Sequence, residues 1–294
     1  MEIQENVPLG SKTTMRIGGN ARYYAEIASE NDVEEAWRKA QELHVPLIVL
    51  GGGSNTVFAD GTVNALVARI GAGDVKIEGD TVIVEAGKNL AMLLNELAEN
   101  GLDLSALTGI PGMVGGAVFG NAGQGPNGVW MDTFVQSVTV FVEGKWKTFS
   151  REDCEFSYRG SVFKEMKGAP IIWRATLRVP RRPAKEVQAD IERLLRKRME
   201  TQPHRKTAGS CFKAVGKTPA WQLIDRANLK GEKFGGIQVS EKHANFLLNT
   251  GEATFCDVER AIREIRTAVV EPLDVEMRLY SQDGSTTGNA ECAQ

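Results

Sequence analysis

The sequence has 294 residues, the length of about two domains at roughly 150 residues each, and enough chain for each to bury its own core. Hydrophobic residues make up 42% and charged residues 25%, ordinary globular values that exclude wholesale disorder and a membrane-embedded chain. Lys and Arg total 35 against 38 Asp and Glu, a net charge of -3, which excludes a general grip on nucleic-acid phosphates. The start, MEIQENVPLGSK, lacks the basic and apolar regions of a signal peptide, and no other run has transmembrane composition, so a cytoplasmic protein is expected. Cys154, Cys211, Cys256 and Cys292 form no CxxC pair, and His44, His204 and His243 lie too far apart for metal-ligand spacing. Free thiols and no bound metal are therefore expected.

In chain order, residues 32–43 place Val33, Ala36, Trp37, Ala40 and Leu43 on one helical face, and VPLIVL then predicts a short buried strand running into GGGSN. TVNALVARI and TVIVEAG predict strands, NLAMLLNELAENG a helix closed by Asn100 and Gly101, and SVTVFVEGKWKTF a hairpin. PIIWRATLRV alternates Ile171, Trp173, Ala175, Leu177 and Val179 on one side, and the prolines and charges after it predict a domain boundary near Pro180. Pro183 can open a helix with Val187, Ile191, Leu194 and Leu195 as its apolar stripe and a solvated basic cluster at 193–198. A second helix, PAWQLIDRANLKG, is expected to end at Gly231, and a third, capped by Thr254, to bury Val258, Ala261, Ile262, Ile265 and Val269. LDVEMRLYS predicts the last strand. Residues 282–294 have the composition of a disordered tail. The order of elements is that of a mixed α and β (α+β) fold.

Two glycine-rich segments stand out: GGGSN at 51–55 and GIPGMVGGAVFGNAGQGPNG at 109–128. Glycine admits positive φ and close approach of a ligand to the backbone, and successive N–H groups in such turns make concave anion sites. No Lys, Arg, Asp or Glu occurs between Leu104 and Met131, so a diphosphate would rest on backbone dipoles and small side chains such as Ser54 and Asn121. GGGSNT lacks the Lys-Ser/Thr of a P-loop and the third glycine of GxGxxG, which disfavours a Rossmann nucleotide site. Tight turns and close packing are the alternative use of these glycines.

SYRGSVFK at 157–164 and GSCFK at 209–213 each put a small hydroxyl residue near aromatic and cationic groups. Arg159 offers a fork of donors for a carboxylate or a developing enolate, and Ser210 a hydroxyl proton. In LDVEMRLYS the alternation puts Leu273, Val275, Met277 and Leu279 on the core side and Asp274, Glu276, Arg278 and Tyr280 on the other. Taken singly, each has an ordinary reading: a surface ion pair for Arg159, a turn residue for Ser210, a solvated carboxylate for Glu276. No base accompanies Cys211, so it reads as a packed thiol rather than a nucleophile.

Together the segments TTMRIGGNA, LGGGSN, GIPGMVGGAVFGNAG, SYRGSVFK, AGSCFK, FGGIQVSEKHANFLLN and VEMRL resemble, in that order, the UDP-N-acetylenolpyruvoylglucosamine reductase family, over residues 8–281. The resemblance implies a bipartite FAD-binding domain of the vanillyl-alcohol-oxidase type at 1–180, its subdomains split near 65–75, and a smaller C-terminal α/β substrate-binding domain at 181–281. It further implies that NADPH reduces FAD, whose N5 passes hydride to the enolpyruvyl carbon of UDP-N-acetylglucosamine enolpyruvate, giving UDP-N-acetylmuramate for peptidoglycan. Carried over by motif, the catalytic residues are Arg159, Ser210 and Glu276: Arg159 and a protonated Glu276 stabilise the enolate-like species and Ser210 protonates carbon. The cofactor contacts fall on Gly51, Gly52, Gly53, Ser54, Asn55, Thr108, Gly109, Ile110, Pro111, Gly112, Gly115, Gly116, Asn121, Ala122 and Gly123, and the substrate contacts on Tyr158 and Lys213. Lys164, Lys213 and the basic cluster at 193–198 are further candidates for the substrate diphosphate, with a solvated helix face as the favoured reading for most of them.

Two departures accompany the resemblance. Ala214 stands where the family usually carries an Asn that approaches the substrate, and Gln124 followed by PNGVWMD departs from the family after NAG. The short spacing around SYRGS resembles the shorter of the family's two subtypes. Expected partners are the nucleotide sugar and NADPH, with neither nucleic acid nor membrane, and the expected state is a monomer. The competing expectations are another FAD oxidoreductase of the same fold acting on a sugar or alcohol, and a nucleotide-sugar-binding regulator without turnover.

Overall fold

The computed structural model describes residues 1–123 and 128–286. The chain runs β1 (Gln4–Pro8), β2 (Asn20–Ile27), α1 (Glu30–Glu42), β3 (Leu47–Leu50), β4 (Thr56–Phe58), β5 (Thr62–Ile70), β6 (Val75–Glu78), β7 (Thr81–Glu85), α2 (Leu90–Glu99) and α3 (Val114–Phe119). It continues with β8 (Val135–Val142), β9 (Lys145–Ser150), α4 (Val162–Glu165), β10 (Ile171–Arg178), α5 (Ala184–Thr201), α6 (Ala220–Arg226), β11 (Lys233–Phe234), β12 (Ile237–Val239), β13 (Leu247–Asn249), α7 (Phe255–Ala268) and β14 (Arg278–Tyr280).

Local chemistry accounts for most of these elements. Ser29 caps α1 by accepting from the Asp32 N–H, and Thr254 and Asp257 form a reciprocal capping box on α7. Asn100 and Gly101, the latter at φ +67°, stop α2 as predicted. Glu143 and Gly144 both have positive φ and make the two-residue turn between β8 and β9.

The chain forms two compact units. One comprises residues 1–2, 25–52 and 67–198. Its centre is the five-stranded sheet β6-β7-β10-β8-β9, whose middle strand β10 buries Ile171, Trp173, Ala175 and Leu177 on the predicted side, with Val179 buried just after it. α3 packs on β10 and β7. The other comprises residues 3–24, 53–66 and 199–294. Its core gathers Met15, Ile17, Val57, Phe212, Ile224, Val258, Ile265 and Leu279 around the sheet β11-β12-β13 and α7. In it β14 pairs in parallel with β4, Leu279 opposite Val57. The chain passes from unit to unit within β2 and β5, which with β1 and β3 form the sheet β1-β2-β5-β3.

Several expectations are corrected. Each compact unit draws on several stretches of the chain, and β4 completes its pairing with β14 near the other end of the sequence. On α5 Val187 is buried and Ile191 and Leu194 are half-buried, but Leu195 is 44% exposed, so one residue of the predicted apolar stripe is uncovered. α6 stops at Arg226 rather than Gly231, because Asn228 takes the left-handed position (φ +58°) after the helix and the Leu229 N–H closes the end on the Ile224 carbonyl. The alternation at 273–280 holds except at Tyr280, which is buried and stacks on Phe58 at 5.3 Å. Residues 282–286 are not tail: Gln282 donates to the Asp60 carbonyl and Asp283 accepts from Ser285. Residues 287–294, with Cys292, lie outside the described residues, as do Gln124–Asn127. Cys154 and Cys211 are free and buried as expected, but Cys256 is disulfide-bonded; pairing is a tertiary property that spacing does not reveal.

Arg182 braces α5 to the loop after α2, reaching Asp103 at 2.6 Å and Asp190 at 3.1 Å. Burial opposes the charged form of Asp103, yet hydrogen bonds from Ser105 and Arg182 outweigh it and hold the carboxyl below its usual range. Asp190 is held down first by Arg193 and then by Arg182. A depressed carboxylate stabilises the fold above its ordinary pKa and loses that contribution as pH falls through the folded value. R182M is therefore expected to lose about 1 kcal/mol of stability at neutral pH and progressively less below about pH 4. Denaturant midpoints across that range check this, and a pH-independent difference would show that the brace is not electrostatic.

Candidate active site

The first glycine loop leaves β3 after Leu50. A Cβ on Gly52 would stand 3.0 Å from the Gly112 Cα, so the two glycine-rich segments meet backbone to backbone. Gly53 has φ +63°, a Cβ there would strike the Lys12 carbonyl oxygen, and its own carbonyl accepts from the Thr14 N–H at 3.0 Å. None of the N–H groups of Gly51, Gly52, Gly53 and Asn55 has a hydrogen-bond acceptor among the described residues. Such a run of open donors is suited to an anion. Asn55 also has an internal duty, because its amide donates to the Glu276 carbonyl at 3.1 Å and its carbonyl accepts from Arg278 N–H at 2.9 Å.

The second loop is more inward-looking. Thr108 is buried with its N–H on Ser105, the Ile110 N–H lies on Leu107, and Pro111 has none to give. Gly112 accepts from Leu90. Gly115 donates to the Ala86 carbonyl, and a Cβ on it would stand 2.7 Å from the Ala86 Cβ, so this glycine serves packing on the end of β7. Asn121 donates to Ser157 and accepts from the Asp132 N–H, each at 3.0 Å, and Ala122 has both backbone groups bonded within the protein. Gly116 is different: a Cβ there meets nothing within 4 Å.

Gly123 leads to a cationic corner. Ser157 and Gly160 exchange backbone hydrogen bonds, each 3.1 Å, making a tight turn whose tip is Tyr158 and Arg159, the latter at φ +57°. The Arg159 guanidinium donates to the Gly123 carbonyl at 3.0 Å and lies 5.0 Å from the Trp130 ring centroid. Lys164 donates to the Arg159 carbonyl at 2.5 Å, so it supports this turn. Tyr158 is 43% exposed and meets Trp130 edge-on at 5.3 Å.

Arg198, which the sequence reading leaves among solvated charges, belongs to this corner. It donates to the Gly109 carbonyl, and burial, then the nearby positive charge of Arg159, pull its pKa down to about 10. Arg193, Arg196 and Lys197 are exposed as expected. A signal for Arg198 was present: it continues the helical spacing of Val187, Ile191 and Leu194.

Ser210 and Glu276 lie in the other unit, in adjacent antiparallel stretches. Phe212 pairs with Val275, Glu276 donates its N–H to the Cys211 carbonyl and Lys213 to the Asp274 carbonyl, both at 2.8 Å. On the opposite edge Asn245, buried, accepts from the Phe212 N–H at 2.9 Å and donates to the Phe212 carbonyl at 2.8 Å. Sequence reading missed Asn245, whose place in KHANF was its only signal. Gly209 has φ +81° and faces the Ser54 carbonyl, which a Cβ would approach to 3.9 Å. The structure thus brings Ser54, Asn55, Ser210, Lys213 and Glu276 into one unit, and Gly51, Gly52, the second loop, Tyr158 and Arg159 into the other. Ala214 is half-buried beside the turn that Val215 and Thr218 close. Burial pushes the Cys211 thiol well above its usual range, which keeps it protonated and inert.

Among the described residues no group of three His, Cys, Asp or Glu could hold a metal ion, and no helix is long and apolar enough to cross a membrane. The donor set fits a dinucleotide diphosphate: open N–H groups on glycine, arginines beside the second loop, and no carboxylate anywhere from 104 to 123.

Comparison with known proteins agrees. Residues 21–150 match an FAD binding domain model, and residues 202–279 match the C-terminal domain model of UDP-N-acetylenolpyruvoylglucosamine reductase. The reductase of Azorhizobium caulinodans is 35% identical over 94% of this chain and 89% of its own length. That of Thermotoga petrophila is 36% identical over 92% of this chain and 94% of its own. The crystal structure of UDP-N-acetylenolpyruvylglucosamine reductase from Thermus caldophilus superimposes with a TM-score of 0.83 at 32% identity, covering 95% of this chain and 99% of that one. With both models matched in order and relatives above 30% identity along nearly the whole length, the chain belongs to the UDP-N-acetylenolpyruvoylglucosamine reductase family.

Proposed function

We propose that this protein reduces the enolpyruvyl group of UDP-N-acetylglucosamine enolpyruvate to give UDP-N-acetylmuramate, with FAD as cofactor and NADPH as reductant. The observation that carries the reading is the assembly of Ser210 and Glu276 on paired backbone, with Asn55 of the first glycine loop bonded to the Glu276 carbonyl. In the reading, the cofactor domain spans 1–180 and the substrate domain 181–281, and the protein is a cytoplasmic monomer.

FAD, when bound, supplies hydride to the terminal enolpyruvyl carbon. The open N–H groups of Gly51, Gly52 and Gly53 would hold its diphosphate. The chain's own residues then have to manage the charge and the proton. Negative charge builds on the carboxylate-bearing carbon, where the Arg159 fork and a protonated Glu276 stabilise it. Ser210 gives its hydroxyl proton to that carbon. Serine is a weak acid, so the step depends on a basic carbanion and on fixed geometry, and the clamp of Asn245 and the 274–276 stretch on the Ser210 segment supports this role. Tyr158 and Lys213 would contact the nucleotide sugar. Ala214 has no amide to offer it, so a weaker grip on substrate, seen as a raised KM rather than a lowered kcat, is the expected consequence.

Anaerobic NADPH should bleach the flavin bands of the holoenzyme, and the enolpyruvyl nucleotide should restore them. Bleaching without return would transfer the reading to another FAD oxidoreductase of this fold. Ser210→Ala is expected to slow the return by about 10²–10⁴-fold while NADPH bleaching stays within a few-fold; a near-normal return would remove Ser210 as the acid. Gly116→Ala separates ligand contact from packing. Its methyl group enters open space on a helix, so the apoprotein should be unchanged or up to about 1 kcal/mol more stable. FAD affinity measured by fluorescence titration should fall, and unchanged affinity would take Gly116 off the cofactor surface.

A further inference from the structure

We propose that Trp130 is a positioning residue for Arg159, holding the guanidinium on its ring face in the orientation needed to meet negative charge on the substrate. The inference rests on the reading of Arg159 as the cation facing that charge. Trp130 lies in the PNGVWMD stretch where the sequence departs from the family pattern.

Three observations converge on the pair. The guanidinium carbon lies 5.0 Å from the Trp130 centroid, within cation–π range, and 5.9 Å from that of Tyr158. The same guanidinium donates to the Gly123 carbonyl at 3.0 Å. Gly123 and Trp130 are themselves one construction: they pair as an antiparallel bridge, Met131 donates to the Ala122 carbonyl at 2.8 Å, and a Cβ on Gly123 would stand 2.6 Å from the Trp130 ring. The ring therefore rests on the bare backbone whose carbonyl holds the arginine. Tyr158 closes the corner edge-on, with its ring at 78° to that of Trp130.

The need for such a support follows from the charge distribution. Arg198 is close enough to repel Arg159, and burial weakens the screening between them. An aromatic face attracts a cation without neutralising the charge the reaction requires. Two anchors also remove rotamer freedom from a long side chain before the substrate arrives, which is the preorganisation that stabilising a developing charge demands.

The test is a double-mutant cycle on the holoenzyme, reading flavin bleaching by NADPH and flavin return with saturating enolpyruvyl nucleotide separately. W130L is expected to slow the return about tenfold, as loss of a desolvated cation–π contact allows, and W130F to restore it to within about threefold. Flavin content, NADPH bleaching and the unfolding midpoint should change little. In an R159M background W130L should cost nothing further. If W130L loses its flavin, W130M, equally apolar but unbranched, takes its place in the same cycle. Equal slowing by W130L with and without Arg159, or no recovery in W130F, overturns the proposal. A normal return in R159M itself instead overturns the reading of Arg159 on which the proposal stands.

Discussion

The constraint on which the site depends is steric: at Gly52 and Gly53 there is no room for a Cβ. The two glycines meet different obstacles, the Gly112 backbone for one and the Lys12 carbonyl for the other, and Gly53 adds a positive φ. Packing claims the side where a side chain would stand, and the N–H groups of Gly51, Gly52, Gly53 and Asn55 have no acceptor among the described residues. In the proposed reading these four groups are a donor surface for an anion, one made of backbone dipoles that need no reorganisation when a ligand arrives. The second loop works otherwise. Gly115, Asn121 and Ala122 direct their polar groups inward, so it supports the first loop and the Arg159 turn more than it offers donors of its own.

Electrostatics give the corner at Gly123 its direction. Arg198 and Arg159 are each tied to a backbone carbonyl, those of Gly109 and Gly123, and Lys164 to the carbonyl of Arg159. Carbonyl oxygens hold cations in place without cancelling their charge, unlike the carboxylates that pair with Arg182. The lowered pKa of Arg198 records the resulting cost: burial and a like-charged neighbour both disfavour its protonated form. A negative charge placed between the two arginines would offset their repulsion, which is the physical basis for reading this corner as an anion-facing one.

What was legible in the sequence follows from the range of the forces involved. Local signals worked: the Thr254 cap, the Asn100–Gly101 stop and the alternation of β10 each depend on a few consecutive residues. The glycine loops were legible as unusual composition, but not that Gly115 packs on Ala86 while Gly116 opens to free space, because that depends on how α3 seats against the end of β7. Asn55 and Asn121 are polar residues in a predicted ligand loop that turn out to carry structural hydrogen bonds. Arg198 was hidden by its neighbours: a run of four charges in six residues reads as one solvated face, although helical geometry turns only one of them toward the Gly109 turn. The end of α6 was missed because Asn228 can take the left-handed conformation that Gly231 advertises more plainly.

The role proposed for Ser210, a weak acid, asks for a rigid setting, and the segment that carries it has one. The stretch is hydrogen-bonded on both edges, by Asn245 and Phe246 on one side and by residues 274–276 on the other. The same backbone bonds that position Ser210 also position Glu276, so neither can shift alone. A side chain on doubly bonded backbone loses little freedom on reaching the transition state, and proximity effects of this kind can be worth several kcal/mol. Asn55 extends the coupling to the first glycine loop through the Glu276 carbonyl. Displacing Asn55 would therefore shift the stretch that carries Glu276 and, through it, the Ser210 segment, so these three residues are held by one set of backbone and amide hydrogen bonds.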